Sequence, residues 1–357
     1  MLGSGFAQQL LEWFDHSGRK ELPWQNHTSA YPVWVSEIML QQTQVATVIP
    51  YYERFLDRFP DLVTLANAAE DEVLALWSGL GYYARGRNLH KTARVIRDDH
   101  AGQFPENLET VLQLPGIGRS TAAAILALTW NQRQTILDGN VKRVLTRYHA
   151  ISGWPGIRNV EQQLWQLADT HTPHNRCADY TQAIMDLGAT VCRRSRPDCD
   201  RCPLQPGCLA HLDNTVSDYP SPKPKKIRPH RHTNMLVVVR ESGEILLEKR
   251  PPTGIWGGLW CLPELNSLPV SLSDWGRQRY GINIDQRQNL DAINHSFSHF
   301  ELTITPLICR ATDSVEQLMD NPDRLWYNPV PATTVGMATA VTKVIRAYLQ
   351  TLEQPPS

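Results

Sequence analysis

Four of the chain's seven cysteines fall at Cys192, Cys199, Cys202 and Cys208, a C-x6-C-x2-C-x5-C spacing that limits what this stretch can become. So short a segment cannot bury a core of its own, and something other than apolar packing has to hold it. Disulfides do not persist in a reducing cytosol, which leaves a metal centre as the cross-link. Four thiolates suit either tetrahedral zinc or a [4Fe–4S] cluster, and the spacing alone does not separate the two. Arg193, Arg194 and Arg196 lie between the first two of these cysteines, a basic loop that such a centre would staple down and offer to phosphate. Cys177, Cys261 and Cys309 stand apart and read as packed thiols.

Upstream, the glycine-punctuated turn Leu114-Pro115-Gly116-Ile117-Gly118 leads into a run of helix formers, Ser120 to Trp130. Gly116 and Gly118 let backbone approach another surface closely, and the amides that open the following helix favour an anion such as a phosphate. A turn of this kind holds a nucleic-acid backbone without reading its sequence. It is also ordinary connector geometry. What adds weight is Asp138, in Leu137-Asp138-Gly139-Asn140-Val141, a carboxylate on a polar break between apolar flanks.

At 357 residues the chain is long enough for two cores, and 41% hydrophobic with 20% charged residues is an ordinary globular composition. No run approaches the roughly twenty apolar residues of a membrane span, and the opening MLGSGFAQQLLEWF has no basic stretch followed by an apolar one, so a cytosolic protein is expected. A net charge of −1 does not announce a nucleic-acid binder; the basic residues are clustered instead.

To about Leu212 the chain reads as mostly helical. Phe6 to Phe14 has helical spacing, and a loop from Gly18 ends in Trp24. In Tyr31 to Val48, Ser36 and Glu37 interrupt an otherwise apolar helix. A glutamate there either sits on a solvated edge or is partly buried, and burial would raise its pKa toward that of a neutral-pH acid. Gln41-Gln42-Thr43-Gln44 then places four hydrogen-bonding side chains in a row, suited to base edges or to an exposed turn. Gly79 and Gly81 frame a second tight turn with Tyr82 and Tyr83 at its tip, followed by Arg85, Arg87, Lys91, Arg94 and Arg97 without an intervening acid. Aromatics beside a basic helix suit base stacking and phosphate neutralisation.

The glycine hairpin, Asp138 beyond it and the cysteine spacing together resemble the helix-hairpin-helix DNA glycosylases of the endonuclease III superfamily. Within it, SEIMLQQTQVATVIPYYERF, GLGYYARGRNLHK, LPGIGRSTA, ILDGNVKRVL and MDLGATVC are similar to the A/G-specific adenine glycosylases, the MutY family. The resemblance implies an all-α helix-hairpin-helix glycosylase domain with an iron–sulfur loop, and it selects one [4Fe–4S] cluster on Cys192, Cys199, Cys202 and Cys208 over zinc. It implies removal of adenine opposite 8-oxoguanine or guanine, with base flipping. Glu37 is then the general acid that protonates adenine N7 and later helps activate water, Asp138 the anion that stabilises the oxocarbenium-like sugar, and Asn140 a group that steadies the site. Gln41, Gln42 and Tyr82 would occupy the disrupted stack and Trp24 would wall the base pocket. Gly116, Gly118, Ser120 and Lys142 complete the expected DNA contacts. In strand-cleaving relatives the residue two beyond the second hairpin glycine is a Schiff-base lysine; here it is Ser120, so base removal without efficient strand scission is expected. Lys142, near Asp138 in sequence, could trap an aldehyde adventitiously and give weak lyase activity. The partner implied is double-stranded DNA with 8-oxoguanine:adenine or guanine:adenine mispairs. A monomer with transient contacts to other repair proteins is implied too, in a bacterial-type, nucleoid-associated cytoplasmic setting without membrane attachment.

Between Asp213 and His232 the composition turns to prolines, lysines and arginines, which reads as a linker passing near DNA. The division expected is a helical domain over 1–213, a linker over 214–231 and a second domain over 232–357. In the last, Thr233 to Arg240 and Glu244 to Arg250 alternate strand formers around Ser242-Gly243, a hairpin, with later strands near Phe300 to Cys309 and a closing helix around Ala340 to Leu352. This α+β domain resembles the Nudix fold of MutT. Gly258 and Glu264 match the opening of the Nudix motif, but 263–281 lacks the acidic helix that holds magnesium, so hydrolysis is not expected. The resemblance instead implies recognition of 8-oxoguanine, with Phe297, Ser298 and His299 as the contacts.

Overall fold

The computed structural model describes residues 3–26, 29–224, 227–312, 321–330 and 335–353. Its contacts divide the chain into two units, Met1–Asn67 with Asn88–Lys225, and Ala68–Arg87 with Lys226–Ser357.

The first unit is helical. The helices are, in chain order, α1 (Gly3–Ser17), α2 (Ala30–Leu40), α3 (Val45–Arg58), α4 (Leu62–Asn67), α5 (Glu70–Trp77), α6 (Ala84–Asp99), α7 (Leu108–Gln113), α8 (Arg119–Trp130), α9 (Gly139–Tyr148), α10 (Arg158–His171), α11 (Cys177–Asp186) and α12 (Leu209–Leu212). Of these, α5 belongs to the second unit. Apart from Ser36 and Glu37 the α2 helix is apolar all round, and Tyr31, Val33, Trp34, Val35, Ile38 and Met39 are all buried, as a helix at the centre of a bundle must be. The expected helix from Tyr31 to Val48 is two helices: the chain turns at Gln41–Gln44, where four consecutive polar side chains offer no apolar stripe to bury. Six consecutive buried residues, Ala122 to Ala127, let α8 pack closely against α2 and α11. A π-helical stretch, Leu187–Val191, extends α11 toward the first cysteine of the cluster loop.

The second unit is a mixed sheet with strands β1 (His230–Val239), β2 (Ile245–Lys249), β3 (Trp260–Cys261), β4 (Glu264–Leu265), β5 (Ile284–Asn289), β6 (Ile293–Ser296), β7 (Glu301–Ala311) and β8 (Arg324–Tyr327), and helices α13 (Leu272–Tyr280) and α14 (Thr339–Glu353). The main path runs β3-β2-β1-β7-β5. β1 and β7 pair in parallel from His230↔Glu301 to Val239↔Arg310, while the β1–β2 hairpin turns at Gly243 with φ of 91°. Leu236 and Val238 on β1 meet Leu307 and Cys309 on β7, and Tyr280 of α13, in one core. The α13 segment LSDWGRQRY carries one acid, Asp274, and Glu264 is engaged by Arg250 at 2.5 Å.

Contacts and covalent order do not coincide. Residues 68–87 interrupt the helical unit in sequence yet associate with the sheet. The expected linker over 214–231 is also not free along its length. The Tyr219 carbonyl accepts from Arg147 at 2.9 Å, the Ser221 hydroxyl from the Gly153 amide at 3.1 Å, and β1 already begins at His230.

Candidate active site and cysteine loop

Asp138 stands where an extended segment meets a helix. Its backbone is extended (φ −81°, ψ −175°), and its carboxylate accepts from the Val141 amide at 2.8 Å and the Asn140 side-chain amide at 3.2 Å. It therefore caps α9, and the positive end of the helix favours its charged form. One residue earlier, the Leu137 amide donates to the Ser120 hydroxyl at 3.0 Å. Ser120 lies in the first turn of α8, immediately after the glycine hairpin, so the hairpin helix fixes where Asp138 sits.

Glu37, near the end of α2, opens into the same cleft of about 820 Å³, which is lined by Trp24, Glu37, Gln41, Gln42, Ser120, Asp138 and Asn140 among others. These seven expected site residues are thus brought together. Burial, with the nearby charge of Asp138 added, pushes the Glu37 pKa up to about 8. Burial raises Asp138 as well, but the Val141 and Asn140 donors and the Arg143 guanidinium oppose that rise. The two carboxyls thus differ in surroundings: hydrogen-bond donors and a guanidinium oppose the effect of burial at Asp138, while a neighbouring charge adds to it at Glu37.

The cleft rim is built from constrained backbone. Gln42 is exposed with φ of 58°, a left-handed conformation uncommon outside glycine, while Gln41 is tied to the Thr121 hydroxyl at 3.2 Å. Trp24 is buried and meets Tyr52 edge to face at 5.4 Å. In the hairpin, Gly116 has φ of 78°, and a Cβ there would lie 2.7 Å from that of Asn88. Gly118 faces open space at the start of α8. Lys142 is not among the residues lining the cleft; it pairs with Glu161 at 2.5 Å.

Two arginines that sequence reasoning passed over organise the site. Arg19 lines the cleft and is clamped to the fully buried Asp186, whose carboxylate takes its amide at 2.8 Å and its Nε at 2.9 Å, and also takes the Gln182 side chain at 2.8 Å. An aspartate among the apolar residues of 183–189 was the available signal. Arg143 donates to the Asn140 side-chain oxygen at 2.8 Å, to the Gly188 carbonyl and, through Nε, to the Cys192 carbonyl at 2.7 Å. One turn on, the buried Arg147 reaches the Cys192 sulfur at 3.3 Å and the Arg193 carbonyl at 2.8 Å. One helix therefore begins at Asp138 and, further along, holds the cysteine loop.

The four cysteines Cys192, Cys199, Cys202 and Cys208 line a single pocket with Val144, Leu187, Val191 and Leu204. Among the described residues no three His, Cys, Asp or Glu side chains are arranged to hold one metal ion.

Tyr82, Phe297, Ser298 and His299 belong to the second unit. Tyr82 is half exposed with φ of 48°. Phe297 stacks on Phe300 at 4.4 Å in the β6–β7 turn, leaving Ser298 and His299 exposed at its tip.

Comparison with known proteins agrees with this anatomy. A family model described as HhH-GPD superfamily base excision DNA repair protein matches residues 35–170, and a NUDIX domain model matches 234–347. In the fold of its helical unit the chain is similar to a solved thermostable thymine-DNA glycosylase, with a TM-score of 0.53 and 26% identity over 58% of this chain and 95% of that one. These matches put the chain in the base-excision class of DNA repair proteins. It is 38% identical to the adenine DNA glycosylase of Buchnera aphidicola subsp. Acyrthosiphon pisum, over 96% of this chain and 97% of that protein, and 35% identical to that of Mus musculus, over 97% and 78%. The chain belongs to the adenine DNA glycosylase family, enzymes that excise adenine from DNA in base excision repair. No helix among the described residues is long and apolar enough to cross a membrane.

Proposed function

We propose that the substrate adenine is one mispaired with 8-oxoguanine or guanine in duplex DNA, and that a monomer removes it by hydrolysis with at most weak strand scission. The single observation that carries the chemistry is the shared cleft of Glu37 and Asp138, with Glu37 pushed up to about 8.

An adenine in the stack is out of reach and must be swung into the cleft. Gln42, with Gln41, and Tyr82 take the place of the departed base, and Trp24 walls the pocket. Glu37 gives its proton to adenine N7. The electron pair of the glycosidic bond then leaves with the base, and C1′ becomes oxocarbenium-like. Asp138, anionic and oriented by Val141 and Asn140, stabilises that positive charge. Water adds to C1′ as the Glu37 carboxylate takes its proton, which restores the acid. Ser120 offers no amine for a Schiff base, and Lys142 is committed to Glu161. Gly116 and Gly118 hold the phosphate chain, and Phe297, Ser298 and His299 read the oxidised guanine.

Cys192, Cys199, Cys202 and Cys208 would hold one [4Fe–4S] cluster. All four thiols line one pocket, and thiolates are the donors such a cluster takes. Bound there, it would supply a rigid cross-link of the loop bearing Arg193, Arg194 and Arg196, whose cations then meet phosphate.

The test is a duplex with one 8-oxoguanine:adenine pair, incubated with enzyme and split into samples with and without alkali. Breaks at the adenine position that need alkali support the reading. Breaks without alkali overturn the hydrolytic assignment, and no breaks in either overturn the substrate.

A further inference from the structure

We infer that Tyr82 and the hairpin tip at Phe297–His299 are positioned by one continuous connection inside the second unit, so that specificity for oxidised guanine is a joint property of the two. This rests on the roles proposed above for those residues.

The connection can be followed contact by contact. Phe297 packs on Trp256 with ring centroids 5.5 Å apart, and Trp256 also meets His295 at 5.8 Å. Trp256 is buried with φ of 55°, so its loop is held in a conformation that its surroundings must maintain. The next residue, Gly257, gives its carbonyl to the Arg87 guanidinium. A Cβ on Gly258 would sit 3.3 Å from both Arg87 Cδ and Glu70 Oε1, so this loop lies directly against α5 and the start of α6.

A second arm runs through the backbone. The Trp260 amide donates to the Gly336 carbonyl at 2.9 Å, and Trp260 and Met337 form a parallel bridge. A Cβ on Gly336 would lie 2.9 Å from Leu74 Cβ and 3.2 Å from the Leu74 carbonyl carbon, which is backbone approach that only glycine permits. The Met337 carbonyl then accepts from the Ser78 hydroxyl at 2.9 Å and the Tyr83 hydroxyl at 3.3 Å. The Gly79 amide donates to that same tyrosine oxygen at 3.4 Å. An ion pair between Lys249 of β2 and Asp71 of α5, at 2.7 Å, closes the set.

Tyr82 sits between the gripped residues. Gly79, Gly81 and Tyr82 all have positive φ, at 94°, 75° and 48°, a sequence of turns that leaves the ring half exposed at the loop's tip. Within the loop the Trp77 indole donates to the Gly81 carbonyl at 3.2 Å, and Arg85 donates to the Leu80 and Gly81 carbonyls at 3.3 and 3.2 Å. Ser78 before it and Tyr83 after it, both anchored on one carbonyl, fix its position. Ser78, Tyr83, Arg87 and Trp256 are thus positioning residues that touch no base themselves.

A double-mutant cycle measures the coupling directly. Single-turnover adenine excision is recorded on 8-oxoguanine:adenine and guanine:adenine duplexes for the unaltered chain, Tyr82→Ala, His299→Ala and the pair. Each single change is expected to lower the ratio of the two rates, and the pair to fall short of the product of the singles by about fivefold or more. In a Ser78→Ala/Tyr83→Phe background, and separately with Arg87→Gln, that shortfall is expected to shrink to within about twofold. Independent, multiplicative effects in the unaltered chain overturn the inference while leaving the lesion-reading assignments standing, and so does coupling that survives both backgrounds. If neither single change alters the ratio, the assignments themselves fail, and the inference with them.

Discussion

Arg143 joins Asn140 to Cys192: its guanidinium donates to the side-chain oxygen of the first at 2.8 Å and the backbone carbonyl of the second at 2.7 Å. The corner that aims Asp138 is therefore tied directly to the first cysteine of the loop. A lysine at 143 has one compact head and cannot make both bonds in a plane. Arg143→Lys is expected to keep the visible absorption of a bound cluster while losing about 100-fold in single-turnover excision, near 3 kcal/mol. Excision within a few-fold of normal would show that the bridge does not position the site.

Asp138 both caps a helix and carries charge, and the two contributions separate on substitution. Asparagine caps nearly as well as aspartate, whereas alanine costs about 1 kcal/mol. Asp138→Asn is expected to melt close to the unaltered protein and Asp138→Ala lower, yet both to lose excision by orders of magnitude. Near-normal turnover of the asparagine variant would remove the anion from the mechanism.

Glu37 carries a pH signature in stability. Its pKa rises on folding from 4.5 to about 8, so between those values the folded chain holds a proton that the unfolded chain has released. Stability is therefore lost as pH climbs through that window, and the loss is complete above it. Glu37→Gln abolishes the effect. The variant is expected to match the unaltered protein at pH 4 to 5 and to exceed it by roughly 5 kcal/mol near pH 9, read from denaturant midpoints. Parallel stability curves would mean that this carboxyl is not buried as described.

The same group sets the alkaline limb of catalysis. Excision is expected to fall as pH passes about 8, where Glu37 loses its proton. A rate that stays flat past that point would assign the acid to another residue.

Ser120 accepts from the Leu137 amide at 3.0 Å and lines the cleft, so Ser120→Lys puts an amine beside the sugar position. Borohydride trapping of a covalent DNA complex is expected to rise well above that of the unaltered chain, with about 1 kcal/mol of stability lost as the Leu137 amide goes unpaired. No increase in trapping would place the side chain away from C1′.

Much of the site was legible because its signals are local. The hairpin glycines, Glu37 inside an apolar helix, Asp138 ahead of Gly139 and the cysteine spacing each occupy a few consecutive residues. The amphipathic run Val141 to Tyr148 could also have marked Asp138 as a helix cap, and not only as a polar break. The features that stayed hidden depend on distant pairing. Arg19 and Asp186 are 167 positions apart, and neither basic nor acidic character foretells which partner a side chain will find. The allegiance of residues 68–87 to the sheet was equally invisible, because it is written in the close approach of Gly258 and Gly336 to that segment, which shows only once the fold is known.

The widened turn at Leu187–Val191 has a consequence for how this enzyme can vary. It separates Asp186, which clamps Arg19, from Cys192, which opens the cysteine loop, within one unbroken coil of chain. Removing a single residue there would let the coil tighten into a regular helix and swing everything beyond it by about 100°. Deletions in this short interval should thus be rejected even where every side chain is kept, since the defect would lie in phase and not in chemistry.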